Sequence, residues 1–466
     1  MTAEAQPSTA PPPAPSTGGL AGFFKFEERG TSIATEARAG LTTFFVMVYI
    51  IFVNAAILGA GFKLDPAGIA AVSAGTALIA GIMTIAMGVV GNYPLAIAAG
   101  LGINGIVAFS LTARGLTPQG AMGVIVLEGL VVTLLVVVGF REAVMNAVPL
   151  ALKRAIGAGI GLFILFIGFV NGGFIATPVG GVPVVGPVFP TTTAQFLFLA
   201  GLLFTMVLWV LKVRGALIIS IFVITIVALI LGVATIPTGF SATPSFATLG
   251  QFDVTNVWTV LGPVAAALTI FAIMLTDFFD TMGTVTGVAS EAGLANEDGS
   301  VPGVGRVLFI DSIAAIAGGA GGVSSNTTFI ESAAGVAEGG RTGFASIVTG
   351  VLFLLAIFLS PLASIIPNAA TAPALVLVGY LMFTQVKDID VSNPEDGIPA
   401  LLTMILMPLT YDITIGIGAG FITWVVIKLA RGKVAEIHPL MWVVSAMFVV
   451  YFLQAWLNTL IATPAS

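Results

Sequence analysis

In the stretch TDFFDTMGT, 276–284, Asp277, Asp280, Thr281 and Thr284 recur at i, i+3, i+4 and i+7. On a helix this spacing gathers them on one face. Two carboxylates one turn apart repel in low dielectric, so such a pair can take up and give back a proton. The same face can accept hydrogen bonds from a polar ligand. Asp280, nearer one end of the run, reads as a supporting residue that caps a neighbouring helix. A second acid, Glu331, lies in GGAGGVSSNTTFIESAAGVAEGG, 318–340. The glycine run ends any incoming helix, and SSNTTF, which holds Asn326, favours extended backbone. ESAAGVA then forms a half-helix with Thr328 or a neighbour near its amino-terminal cap. Its free N–H groups suit a ligand's acceptors, and Glu331 is placed to accept a ligand's N–H groups. The third stretch is NYPLAIAAGLGINGIVAF, 92–109, interrupted by Pro94, Gly100, Gly102 and Gly105. LAIAA is compatible with extended backbone, and GLGIN opens another half-helix that carries Asn104. Glycine packing explains GxGxN equally well; its weight comes from pairing with the second stretch.

These groups are set in a chain that is 58% hydrophobic and 8% charged, with mean hydropathy +1.10. Soluble domains are about 25% charged. A carboxylate at bilayer depth costs roughly 2.5 kcal/mol or more, so acids kept there face a cavity, a pathway or a partner. The length allows roughly a dozen spanning helices. The 56 glycines exceed what a plain bundle needs and suit close helix approach and broken helices. Of the weaker singletons, Glu128 in VIVLEGLVV reads as protonated or structurally paired. Asp311 in FIDSIAAIAGG reads as a packing or supporting residue, Asn54 and Asn171 as helix-end groups, and His438 as a loop residue.

The net charge is −6 and there is no basic tract, which gives no support to a nucleic-acid partner; there is no cysteine. No phosphate-binding loop, HExxH or nucleophile elbow occurs, so the chain is expected to be no enzyme and to need no cofactor or metal. Residues 1–22, rich in Pro, Ala, Ser and Thr at their start, read as a disordered cytoplasmic tail. When the apolar segments are threaded alternately across a membrane, all 16 Lys and Arg except Lys63 and Arg114 fall on the amino-terminal side. That asymmetry places the amino terminus in the cytoplasm. It requires an even number of crossings between Lys387 and Lys428, hence two short helices at 398–410 and 412–430. The run 440–461 is either an extra span or a surface helix. The run 39–60 resembles 266–284, and the broken segments near 100 and 326 lie seven segments apart. Seven is odd, so the two halves would have inverted topology. Paired broken segments of this kind point to a transporter binding site.

The sequence resembles the nucleobase–cation symporter superfamily of uracil and xanthine permeases, and within it the AzgA-like purine permeases. FFKFEERGTSIATEARAGLTTFFVMVYIIFVN, YPLAIAAGLGIN, TDFFDTMGTVTGVA, FIESAAGVAEGGRTG and TAPALVLVGYLM carry the resemblance, which runs from about Phe23 to Leu460. It implies an all-α polytopic membrane protein with about fourteen segments in two inverted repeats of seven. A core domain would comprise 23–145 (segments 1–4) and 256–365 (segments 8–11). A gate domain would comprise 146–255 (segments 5–7) and 366–466 (segments 12–14 and the last apolar helix). Segments 3 and 10 would each join a short strand to a half-helix. The resemblance implies that Asp277 and Glu331 bind the base and couple the proton. Gly102 and Ile330 would offer backbone N–H groups, Asn104 would contact the base, and Thr281 would line the site. Thr328 and Asn326 would support it. The activity implied is import of adenine, guanine or hypoxanthine by proton symport with alternating access, in the inner or plasma membrane. A homodimer is left open. Ala99 stands where Pro is expected, Gly105 and Ile106 where an aromatic is expected, and SSNTTF is closer to the uracil/xanthine branch. A uracil/xanthine permease, or an anion permease of related architecture, therefore stands as an alternative.

Overall fold

The computed structural model describes residues 19–139, 147–176, 186–237, 240–296 and 300–461, with side chains as far as Leu453. Almost every element is a helix because the apolar runs leave the backbone no water to bond, and a helix satisfies it internally. Among the described residues nine helices are long and apolar enough to cross a membrane. Their starts are written in the sequence. Asp65 caps α4 (Pro66–Ala86) by accepting the Gly68 N–H, and Thr117 caps α6 (Pro118–Val137) by accepting that of Gly120, each with proline in the first turn.

The first part of the chain comprises α1 (Gly19–Phe24), α2 (Ile33–Met47), α3 (Ile50–Phe62), α4, strand β1 (Ile97–Ala99), α5 (Leu101–Gly105) and α6. A π-helical turn, Ile106–Ser110, follows α5. Next come α7 (Leu150–Asn171), a small hairpin of β2 (Ile175–Ala176) and β3 (Gly186–Pro187), α8 (Thr193–Val210) and α9 (Ala216–Ile230). The second part runs through α10 (Val254–Glu291), α11 (Val304–Ala320), β4 (Asn326–Thr328), α12 (Ser332–Ala337) and α13 (Gly343–Ala356). It ends with α14 (Asn368–Phe383), α15 (Pro394–Thr410), α16 (Ile413–Ala430) and α17 (Pro439–Ile461).

Two sets of helices pack mainly among themselves. In one, α2, α3, α4 and α13 are joined by α6, α10 and α11; in the other, α7 packs on α14 and α15, with α8, α9 and α16 around them. Glycine sets the closest approach in the second set. A Cβ at Gly161 of α7 would stand 2.6 Å from the Gly379 carbonyl of α14, and one at Gly379 would stand 2.6 Å from the Gly161 carbonyl. The sets touch where α5 meets α7, α3 meets α14, and α10 meets α16 and α17.

Several expectations need correction or detail. Residues 1–18 of the expected tail, and the expected boundary at 145 between the first halves of core and gate, lie outside the described residues. Residues 19–22 are helical, not disordered: they open α1, whose Phe24 is buried against Phe26 and Phe344. The aromatic cluster anchors what composition alone read as tail. The α10 run is broken at Gly262 (φ 73°), just before Pro263, where proline removes a helical donor. Tyr411 (φ 57°) separates α15 from α16, and Asp412 caps α16 by accepting the Thr414 N–H. The last helix packs on α16 and α10, with Phe448 fully buried.

Candidate functional site

Strands β1 and β4 pair antiparallel, with Ile97 opposite Thr328, Ala98 opposite Thr327 and Ala99 opposite Asn326. Side chains hold the short strands in place. The Thr84 hydroxyl donates to the Ile97 carbonyl and accepts the Ile97 N–H, both at 2.9 Å. The Ser332 hydroxyl accepts the Ala96 N–H at 3.0 Å. Asn54 of α3, also buried, donates to Thr76 at 2.8 Å and to the Val323 carbonyl at 3.0 Å, which fixes the approach to β4. Each strand leads into a short helix. In α5 the Asn104 N–H is taken by the Gly100 carbonyl, so the N–H groups of Leu101, Gly102 and Ile103 have no helical partner.

Helix α10 lays Asp277 and Thr281 against β4. Asp277 is 1% exposed, lies in hydrogen-bonding contact with Thr327, and has no partner on Oδ1. The Thr281 hydroxyl donates to Asp311 Oδ2 at 2.7 Å and lies 2.6 Å from the Thr327 hydroxyl. Asp311 Oδ1 accepts the Thr328 N–H at 3.0 Å. Asp311 therefore ties α10, α11 and β4 into one polar network. Asp280, a turn along α10, is half-buried, within electrostatic range of Asp311 and Glu331.

Glu331 sits at the start of α12 and its Oε1 accepts the Tyr49 hydroxyl at 2.7 Å. Tyr49 is fully buried between α2 and α3. The Ile330 side chain is 54% exposed beside Gly287 of α10. Asn104 is fully buried, and among the described residues neither its amide nitrogen nor its oxygen has a partner. Gly102 lies against α7, where a Cβ would stand 2.9 Å from Ile160 Cγ2. Asn326 donates to the Ser324 carbonyl at 3.3 Å, and its Oδ1 has no partner. Thr328 is a strand residue rather than a cap of the half-helix; the cap position is Glu331, which makes no side-chain capping bond.

The structure thus joins Asp277, Thr281, Thr327, Thr328 and Asp311 directly, and sets Glu331 apart with Tyr49. Sequence reasoning undervalued Asp311 and missed Tyr49. A buried tyrosine must find a partner for its hydroxyl, so a phenol inside VMVYIIFVN was a signal. Among the described residues no group of His, Cys, Asp and Glu is arranged to hold a metal ion. Chemically, the arrangement presents carboxylate acceptors, an uncommitted amide and free helical N–H groups around one strand pair. It offers hydrogen bonds of both senses to a polar molecule.

A family model described as Permease family (Xan_ur_permease) matches residues 35–419. The chain belongs to this family. Among the relatives of this permease, the guanine/hypoxanthine permease PbuG of Bacillus subtilis (strain 168) is 39% identical over 442 residues, covering 92% of this chain and 99% of that protein. The adenine permease AdeQ of Escherichia coli (strain K12) is 37% identical over 434 residues, covering 93% and 96%. Among solved structures, the transmembrane domain of the cyanobacterium bicarbonate transporter BicA matches with TM-score 0.60 and 16% identity, covering 83% of this permease and 96% of that chain. Murine Slc26a9, an anion transporter in the inward-facing state, matches with TM-score 0.59 and 12% identity, covering 92% and 74%. These likenesses establish a shared transporter fold and nothing about cargo.

Proposed function

We propose that this permease is a secondary carrier that imports the purine bases adenine, guanine and hypoxanthine together with a proton, in the inner or plasma membrane with its amino terminus in the cytoplasm. One observation carries the reading: around β1 and β4, Asn104 and Asp277 are buried with polar atoms that have no partner among the described residues. Buried polar groups are normally paired, and exceptions call for an explanation. A purine supplies it. Its ring N–H groups donate to Asp277 and Glu331, and its ring acceptors take the amide of Asn104 and the free N–H groups around Gly102 and Ile330. Thr281 braces Asp277 through Thr327, Asp311 anchors Thr281 and Thr328, and Asp280 and Asn326 line the flanks. The printed activities of PbuG and AdeQ support the purine class.

Architecture supports the mechanism. The two strand–helix units, β1–α5 and β4–α12, meet antiparallel, which fits two inverted repeats of seven segments. The set built on α2, α3, α4, α6 and α10–α13 is the core, and the set built on α7–α9 and α14–α16 is the gate. Core moving against gate exposes the site to one side and then the other. The proton rides on the carboxylates that face the base and leaves on the cytoplasmic side.

The test is uptake of labelled hypoxanthine by cells that lack their own purine transport, with adenine, guanine, xanthine and uracil as competitors and a protonophore as control. Purines compete, uracil does not, and the protonophore collapses accumulation. Glu331→Gln abolishes uptake while the protein still reaches the membrane. Uptake at the wild-type rate in that variant, or competition by uracil alone, refutes the assignment.

A further inference from the structure

Glu128 has no place in the site described above. It lies midway along α6, is fully buried, and neither carboxyl oxygen has a hydrogen-bond partner among the described residues. The next residue brings α6 against α11 at backbone distance: a Cβ on Gly129 would stand 2.7 Å from the Ile316 nitrogen. That contact lies little more than one turn along α11 from Asp311. Asp311 is the charged neighbour that Glu128 feels, and Glu128 in turn is felt by Asp277. Of the elements packed on α6, helix α10 carries Asp277, Asp280 and Glu291, α11 carries Arg306 and Asp311, and residues 101–113 carry no charged side chain. Arg306 stands in the first turn of α11, ten positions before the Ile316 contact with Gly129, which is about 15 Å along the helix axis.

An ionised carboxylate in this position would have no exposure to solvent and no cation beside it among the described residues, a state far costlier than a neutral acid. Glu128 therefore carries a proton at rest. A permanently neutral spacer could as well be apolar. A protonated acid next to Asp311 has a route onward, because Asp311 touches Thr281, Thr281 touches Thr327, and Thr327 touches Asp277.

We propose that Glu128 is a proton-carrying group of the transport cycle, exchanging its proton with Asp311 and, through the Thr281–Thr327 hydroxyls, with Asp277. The transfer moves one proton from a Glu128 oxygen to an Asp311 oxygen. A carboxylate is left behind, a carboxylic acid forms ahead, and no other bond changes. Asp277 is where the proton enters and leaves, since it is the member that faces the base. Glu128 touches no ligand; it acts on coupling alone. This inference rests on the purine–proton symport proposed above.

The experiment compares wild type and Glu128→Gln in proteoliposomes. Two quantities are read: exchange of labelled for unlabelled hypoxanthine, and accumulation driven by an imposed pH gradient. Wild type must do both; if it does neither, the symport reading itself falls. With wild type coupled, the expected result for Glu128→Gln is continued exchange and loss of accumulation down to the outside concentration. Accumulation in Glu128→Gln equal to wild type overturns this inference and leaves the symport reading standing. A second measurement needs no variant. A hydrophobic carbodiimide, which adds to protonated buried carboxyls, is applied to wild-type protein, and the Glu128 peptide is read by mass spectrometry. Labelling that falls when hypoxanthine is present, or when the pH rises, supports the proposal. Absent labelling, or labelling unchanged by base and by pH, overturns it.

Discussion

Tyr49→Phe isolates one hydrogen bond. The phenol donates to Glu331 Oε1 at 2.7 Å from a position with no solvent exposure. The ring stays and keeps its packing, so the loss is confined to one O–H. A bond to a charged acceptor contributes about 1.5–3 kcal/mol. If the bond orients Glu331 toward the base, affinity for hypoxanthine falls about 10- to 150-fold. Binding of labelled hypoxanthine to purified protein measures it, with membrane expression and melting temperature as controls. A double-mutant cycle sharpens the test. Against a Glu331→Gln background the same hydroxyl faces a neutral oxygen, and removing it costs only about 1 kcal/mol. An affinity for Tyr49→Phe within error of wild type would refute the idea that the phenol sets Glu331. So would equal losses in both backgrounds.

Two further changes probe the scaffold. Gly102→Ala places a methyl 2.9 Å from Ile160 Cγ2, an overpacking worth about 1–3 kcal/mol where α5 meets α7. Uptake falls, and Ile160→Ala added to it restores part of the rate; no recovery would show that the clash is not the cause. Glu36, fully buried, accepts the N–H groups of Arg341, Thr342 and Ala345 at 2.7, 3.3 and 3.2 Å and so caps α13 from α2. Glu36→Ala leaves those donors without a partner at a cost on the order of 3 kcal/mol. A thermal melt of the purified protein shows a lower midpoint, with wild-type stability as the refuting result.

What the sequence showed and what it hid follow one physical line. Periodicity along one helix placed Asp277 and Thr281 on a shared face, and that face does meet β4. Glycine and proline breaks marked where helices yield to strands at 97–99 and 326–328. Periodicity is silent about which helices become neighbours when every helix is apolar on most sides. Asp311 could therefore be seen as a buried acid but not as the partner of Thr281 and Thr328. The same gap explains Thr328, assigned to a cap because it is a good capping residue; pairing with Ile97 and the carboxylate of Asp311 outweigh that local preference. Tyr49 and Glu331 are 282 positions apart, and no local pattern connects them. The expected fourteen segments and the core–gate division are what the resemblance implies, and no one motif carries either.

The pairing of β1 with β4 also bears on how the protein is made. More than two hundred residues separate the two strands, and neither has another strand partner among the described residues. Chains lengthen at about 5–20 residues per second, so residues 97–99 wait roughly 10–50 s for their mate to leave the ribosome. Through that interval the first half must shelter an open strand edge, within itself or with the insertion machinery. A chain stopped between residues 100 and 325 has no way to close that edge, which makes it a natural object for membrane quality control.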